Sequence, residues 1–421
     1  MTIFQAAIGR FRSRLHSFLN LRMRVGFLFT TFLMLCFLGV LPGGEDYLSL
    51  HRQALVADGH NDTLLRMVEG FDLGKRHTIG HLDIPRMKEG GLDLAFFACF
   101  PSPQYTSKGA GDPDSCAWRV FGMIDSLRAV AHRYPQDIAI ATTGRQVEEI
   151  VASGRIAAAI GVEGGHSIQN SLEILKDFYD AGVRYLTLTW ITSNDWATSS
   201  NDESSGKPLK VRGLTPFGRQ VVRRMNELGM MVDLSHVGEK TFWDVMEVTD
   251  KPVIASHSCA YALCPHPRNL KDDQIRAIAE RRGVVLINFY AGYLDSTFEK
   301  KQDAVRQEHR AEFAALQAKF KTHSDEYWDE VRKTIGSEME ETRPPLDLLI
   351  DHIDHVVQLV GPDFVGIGSD FDGISFAPKD LEDVSCLPLI TQKLVQRGYG
   401  AQDIQNILGG NFLRVFKEVT K

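Results

Sequence analysis

Eight apolar runs, each followed by a polar or helix-patterned stretch, constrain this chain more than any other feature. They are LVADGH (Leu55–His60), LDLAFFACF (Leu92–Phe100), IAAAIGVEGG (Ile156–Gly165), VRYLTLTW (Val183–Trp190), MMVDLSH (Met230–His236), PVIASHS (Pro252–Ser258), GVVLINFY (Gly283–Tyr290) and FVGIGSDFDG (Phe364–Gly373). The runs are nearly continuous rather than alternating, as expected of strands covered on both faces in a parallel sheet. Between them lie segments with helical period. SLEILKDFYDAG (Ser171–Gly182) begins with a capping serine and ends in glycine, and TPFGRQVVRRMNELG (Thr215–Gly229) has the same plan with Pro216 in its first turn. KTFWDVMEVTD and DDQIRAIAERRG fill the next two gaps. Eightfold strand–helix alternation predicts an α/β fold, a closed (β/α)8 TIM-like barrel, with a doubly wound open sheet as the alternative. The charged stretch Asp295–Pro345, helical in period around Ala304–Phe320, reads as an insertion before the last strand. It is expected to be a solvated helical excursion, with a lid over the site as the second reading.

The N-terminus is separate in character. Residues 1–44 hold five arginines and no acid, and they include the uncharged run Val25–Leu41. At 17 residues the run is short for a bilayer span and long for a signal-peptide core. It is read as a signal peptide or an uncleaved anchor, which puts residues 45–421 outside the cytoplasm, membrane-anchored or secreted. With a net charge of −7 overall, removing those five positive charges leaves −12 on the remainder. So acidic a body argues against nucleic-acid binding, which needs clustered Lys and Arg. Six cysteines without a C-x-x-C argue against a zinc–thiolate site and leave one disulfide open.

The chemistry sits at the ends of the runs. His60 and Asp62 close the first, Glu163 the third, His236 the fifth, His257 the sixth and Asp370 the eighth. In barrel enzymes the C-terminal rim of the strands carries the active site. Side-chain alternation lets His60 and Asp62 share a face. Small residues stand at the same parity beneath the others: Gly161 under Glu163, Ala255 under His257, Gly366 and Gly368 under Asp370. Asp233 has the opposite parity to His236 and is expected to face the helices. Imidazoles with carboxylates suit zinc or a similar divalent ion, and a carboxylate can bridge two of them. Glu163, flanked by glycines in GVEGGHS, is the natural bridge. Each histidine taken singly is more often a hydrogen-bonded core residue; the weight rests on five strand ends agreeing. His166 is expected beside the centre, and the other histidines are read as structural or surface residues.

Together DGHND (Asp58–Asp62), EGGHS (Glu163–Ser167), DLSH, SHS and GIGSDFDG resemble the membrane (renal) dipeptidase family of zinc peptidases, from about Leu55 to the C-terminus. The resemblance implies a metal-dependent hydrolase barrel with two Zn2+ ions per chain. His60 and Asp62 would hold one ion and His236 and His257 the other, with Glu163 bridging. Asp370 would be the acidic residue beside the bridging water and Arg268, in HPRN, a substrate contact. The implied reaction is hydrolysis of a dipeptide by hydroxide held between the ions; an amidohydrolase of N-acyl amino acids, lactams or lactones is the alternative, and a decayed, non-enzymatic binding protein a third reading. Where mammalian members have a histidine after YLTLT, this chain has Trp190, which is expected, with Tyr290 of INFY, to line the substrate pocket. Cys264 has a counterpart in the mammalian disulfide, but its partner region AGYLDS lacks cysteine. A homodimer is compatible with this reading.

Overall fold

The computed structural model describes residues 47–109, 111–320 and 325–420. The apolar run Val25–Leu41 and Cys36 lie outside them. Every predicted run contains a strand: β1 (Ala57–Asn61), β2 (Leu94–Cys99), β4 (Ile156–Glu163), β5 (Val183–Thr187), β6 (Met231–Asp233), β7 (Ile254–Ala255), β8 (Val284–Ile287) and β9 (Val365–Ile367). These eight pair in parallel in the order β1-β2-β4-β5-β6-β7-β8-β9. A ninth strand, β3 (Ile138–Ile140), was not anticipated; it pairs with Ile156–Ala158 of β4, whereas β5 pairs with Ile160–Glu163. The cylinder is drawn together where the last strand meets the first. Asn61 bridges Phe371, the Asp62 amide donates to the Phe371 carbonyl (2.8 Å) and the Asp370 amide donates to the His60 carbonyl (2.9 Å). Buried Asp58 accepts from the Ser369 amide (2.7 Å) and hydroxyl (2.6 Å).

Alternation along the strands separates two cores. Outward residues such as Phe97, Ile160, Leu186, Val232 and Ile287 pack under the helices. Inward residues Leu94, Phe96, Tyr185, Met231, Ile254 and Leu286 fill the barrel at its N-terminal end. Phe412 and Phe416, from the C-terminal helix Asn411–Val419, close that end, with the Phe96 and Phe412 rings 5.0 Å apart. The outer helices start and stop as their punctuation predicts: Leu172–Asp180 is capped by the Ser171 hydroxyl, and Pro216–Leu228 by Thr215, ending on Gly229 at φ 82°.

The insertion differs from the expectation of a solvated excursion. Its helices Phe298–Glu308, Arg310–Lys319 and Asp325–Glu341 build their own apolar core. Tyr327, Val331, Ile335 and Met339 pack there against Val305, Phe313, Leu316 and Phe320. Phe376, from the segment after β9, enters the same core and ties the insertion to the rim. No helix among the described residues is long and apolar enough to cross a membrane.

Candidate metal centre

At the C-terminal mouth of the barrel six side chains meet. Glu163 ends β4 with Oε1 2.8 Å from His236 Nε2, 3.4 Å from His257 Nε2 and 3.9 Å from His60 Nε2. His60 Nε2 is also 3.9 Å from Asp62 Oδ2. The His60 and His257 rings lie 3.9 Å apart, centroid to centroid. Ligand atoms of His60, Glu163 and His257, and those of His60, Asp62 and Asp370, lie within 4.8 Å of one another, so His60 belongs to both groups. Five of the six are more than nine-tenths buried, and Asp370 is partly exposed.

Glycine makes this density feasible at two points. A Cβ on Gly161 would fall within the Tyr185 ring, which crosses below Glu163 to bring its hydroxyl 2.9 Å from His60 Nδ1. A Cβ on Gly373 would strike both the Asp62 and Asp370 carboxylates. His236 and Asp370 are aimed by left-handed backbone, φ 66° and 60°. Such conformations cost an L residue energy and persist only where the surroundings enforce them.

Those turns overturn part of the alternation argument. The regular strands stop at Asp233 and Ala255, before the histidines, so parity cannot be counted through to them. Ala255 packs outward under the helices rather than beneath His257. Asp233 was expected to face the helices; it points inward, fully buried, and accepts from the hydroxyls of Thr187 (2.5 Å) and Ser256 (2.6 Å).

The electrostatics call for a cation. The Nε2 atoms of His60 and His257, Nδ1 of His236 and Oδ1 of Asp62 are buried without a hydrogen-bond partner. Orphaned polar atoms are rare in folded proteins. Burial drives the imidazoles of His236 and His257 well below the usual histidine value, with the positive charges of Arg268 and His60 adding to it. Both are thus neutral, the form that ligates. Burial also lifts Glu163 well above the carboxylate range and Asp370 to about 7. Burial pulls His60 down, but the negative charges of Glu163, Asp62 and Asp370 outweigh it and raise the ring to about 10. Neutral imidazole and carboxylate donors suit zinc-like divalent ions, and the residues present fit such a centre.

Around the centre, Arg268 is buried and donates to the His257 carbonyl (3.2 Å) and to Ser258 Oγ (3.4 Å). Asn288, not singled out from sequence although INFY puts it at the rim, donates to Asp370 Oδ2 (2.9 Å). The Tyr290 hydroxyl donates to Glu299 of the insertion (2.6 Å). Three residues later Tyr293 lies with its ring 5.4 Å from the Arg268 guanidinium. Trp190 packs on Phe100, centroids 4.4 Å apart, over the ends of β5 and β2. His166 donates to the Pro101 carbonyl (2.7 Å), binding two rim loops together. The described cysteines, Cys99, Cys116, Cys259, Cys264 and Cys386, are free thiols.

A family model described as membrane dipeptidase (Peptidase family M19) matches residues 45–421. The chain is similar to an uncharacterized dipeptidase of Schizosaccharomyces pombe, 34% identical over 87% of this chain and 81% of that protein. It is similar also to Dipeptidase 3 of Mus musculus, 32% identical over 89% of this chain and 66% of that one. Among solved structures, a metallo peptidase from Rhodobacter sphaeroides liganded with a phosphinate mimic of the dipeptide L-Ala-D-Ala superposes with TM-score 0.70. It is 27% identical and covers 87% of this chain and 99% of that one. The probable dipeptidase PvdM from Pseudomonas aeruginosa gives TM-score 0.72 at 26% identity, over 89% of this chain and 97% of that one.

Proposed function

The chain belongs to the membrane dipeptidase family, peptidase family M19, and from that premise we propose that it hydrolyses dipeptides at a centre of two zinc ions. The observation that carries the reading is the meeting of His60, Asp62, Glu163, His236, His257 and Asp370 around unpartnered imidazole nitrogens at one barrel mouth. His60 and Asp62 would hold one ion, His236 and His257 the other, and Glu163, whose Oε1 lies closest to three imidazoles, would bridge them. Two such ions supply Lewis acidity, activating water near neutral pH and polarising the scissile carbonyl.

The chain's own residues do the rest. Asp370 takes the water's proton and returns it to the leaving amine; Asn288 holds the carboxylate in place, and burial keeps it near neutral range. Arg268, fixed by two hydrogen bonds to Ser258 and His257, supplies a positive charge to a substrate carboxylate. Tyr293 against that guanidinium walls the same side. For the N-terminal segment, the arginine-flanked apolar run supports export of residues 45–421 across a membrane.

The test is metal analysis with a chelation series on a panel of dipeptides, D-residues at the second position included, and N-acyl amino acids. We expect two zinc ions per chain, dipeptide turnover, loss on chelation and recovery on adding zinc. Dipeptide hydrolysis that survives complete metal removal refutes the mechanism; hydrolysis of the acyl amino acids alone refutes the substrate class.

A further inference from the structure

We propose that Asp233 is a positioning residue for the metal centre: through the Ser256 hydroxyl it holds His257 in the Nδ1–H tautomer, so that Nε2 offers its lone pair to the cation. The inference rests on the metal-centre reading above.

Four donors converge on Asp233. Oδ1 accepts from the backbone amides of Ser235 (3.1 Å) and Ser256 (2.8 Å). Oδ2 accepts from the hydroxyls of Thr187 (2.5 Å) and Ser256 (2.6 Å). A serine hydroxyl has one proton to give. That of Ser256 goes to the carboxylate; its 3.4 Å approach to Ser235 Oγ is the weaker claim. Ser256 Oγ also stands 2.7 Å from His257 Nδ1. With the serine proton committed, the imidazole must be the donor in that pair. Nε2 is then unprotonated, which matches its place: buried, without a hydrogen-bond partner, and 3.4 Å from Glu163 Oε1. The backbone is held as well, the His257 amide donating to Ser235 Oγ (3.0 Å). A ligating histidine depends on what its second nitrogen donates to, because that bond selects tautomer and ring orientation. Here the acceptor is a hydroxyl polarised by a carboxylate one step farther from the cations.

Substituting Asp233→Asn tests this with little change of shape. Two fixed backbone N–H groups face Oδ1, so the new amide nitrogen must lie on the other side, toward hydroxyls that can rotate. There it donates to Ser256 Oγ, whose freed proton turns to His257 Nδ1. The tautomer inverts, and Nε2–H cannot ligate. Histidine-selective 15N NMR of the cation-free protein reads the tautomer, and chelator competition reads zinc affinity. We expect Nδ1–H at His257 in the wild type, Nε2–H in Asp233→Asn, and zinc affinity roughly 10–100-fold lower in Asp233→Asn and in Ser256→Ala. An unchanged tautomer with unchanged zinc affinity in Asp233→Asn overturns the proposal. Should that variant not fold, wild-type zinc affinity in Ser256→Ala overturns it alone. A wild type that shows the Nδ1–H signal yet binds no zinc upholds the tautomer assignment and refutes the metal centre.

Discussion

Substituting Asp372→Asn isolates one buried carboxylate whose contribution can be worked from its surroundings. Asp372 follows β9 in left-handed backbone, φ 67°, a conformation asparagine tolerates as readily as aspartate. Its side chain is fully buried and accepts from Thr63 Oγ1 (2.7 Å), Arg66 Nε (3.0 Å) and the His81 amide (2.8 Å). Burial by itself would raise its pKa, but His81, Arg66 and Thr63 outweigh it and draw the group from 3.8 to about 2. A depression of that size corresponds to about 2 kcal/mol of folding free energy at neutral pH. Because the folded value is the lower one, this stability is fully present above the unfolded value near 3.8 and is lost as pH falls through about 2. Urea unfolding followed by circular dichroism, in chelator so that cation binding adds nothing, measures the difference. The variant should be about 2 kcal/mol less stable at pH 7, with the gap closing between about pH 4 and pH 2. Equal stabilities at pH 7, or a gap undiminished at pH 2, refute the reasoning.

Two further outcomes follow from the site and from the plug. Asp370→Asn removes the carboxylate to which the proposed mechanism assigns proton transfer and should lower kcat by roughly 10²–10⁴ with little change in KM, read by steady-state dipeptide kinetics at saturating zinc. Phe412→Ala empties the N-terminal end of the barrel, where the ring is 1% exposed. It should cost about 3–5 kcal/mol in urea unfolding while leaving kcat per folded molecule unchanged, since the chemistry lies at the opposite mouth.

Much of this molecule is readable from residue order because burial leaves a periodic trace. A strand covered on both faces must be largely apolar, so seven of the eight barrel strands fall inside the apolar runs and β1 passes the end of its run by one residue, Asn61. Helix ends were legible at Ser171, Thr215 and Gly229 because capping chemistry is local. What failed was whatever depended on turns or distant partners. Ile138–Ile140 is too short to stand out and exists as a strand only through the first three residues of β4. Parity misplaced Asp233 and Ala255, since the chain leaves regular geometry before His236 and His257. The apolar positions of the insertion were visible, yet their partners lie on other helices and at Phe376. Tyr290 and Tyr293 differ by less than one helical turn, and only the fold shows which hydroxyl is committed to Glu299.

The segment that joins the two ends of the sheet also delivers Asp370. Ser369, Asp370 and Phe371 grip Asp58, His60 and Asn61 across more than three hundred positions of chain. The contacts that seal the cylinder are therefore the ones that set Asp370 beside His60. A chain lacking β9 and the turn after it would lose the seam and, with it, the carboxylate to which the proposed mechanism assigns proton transfer.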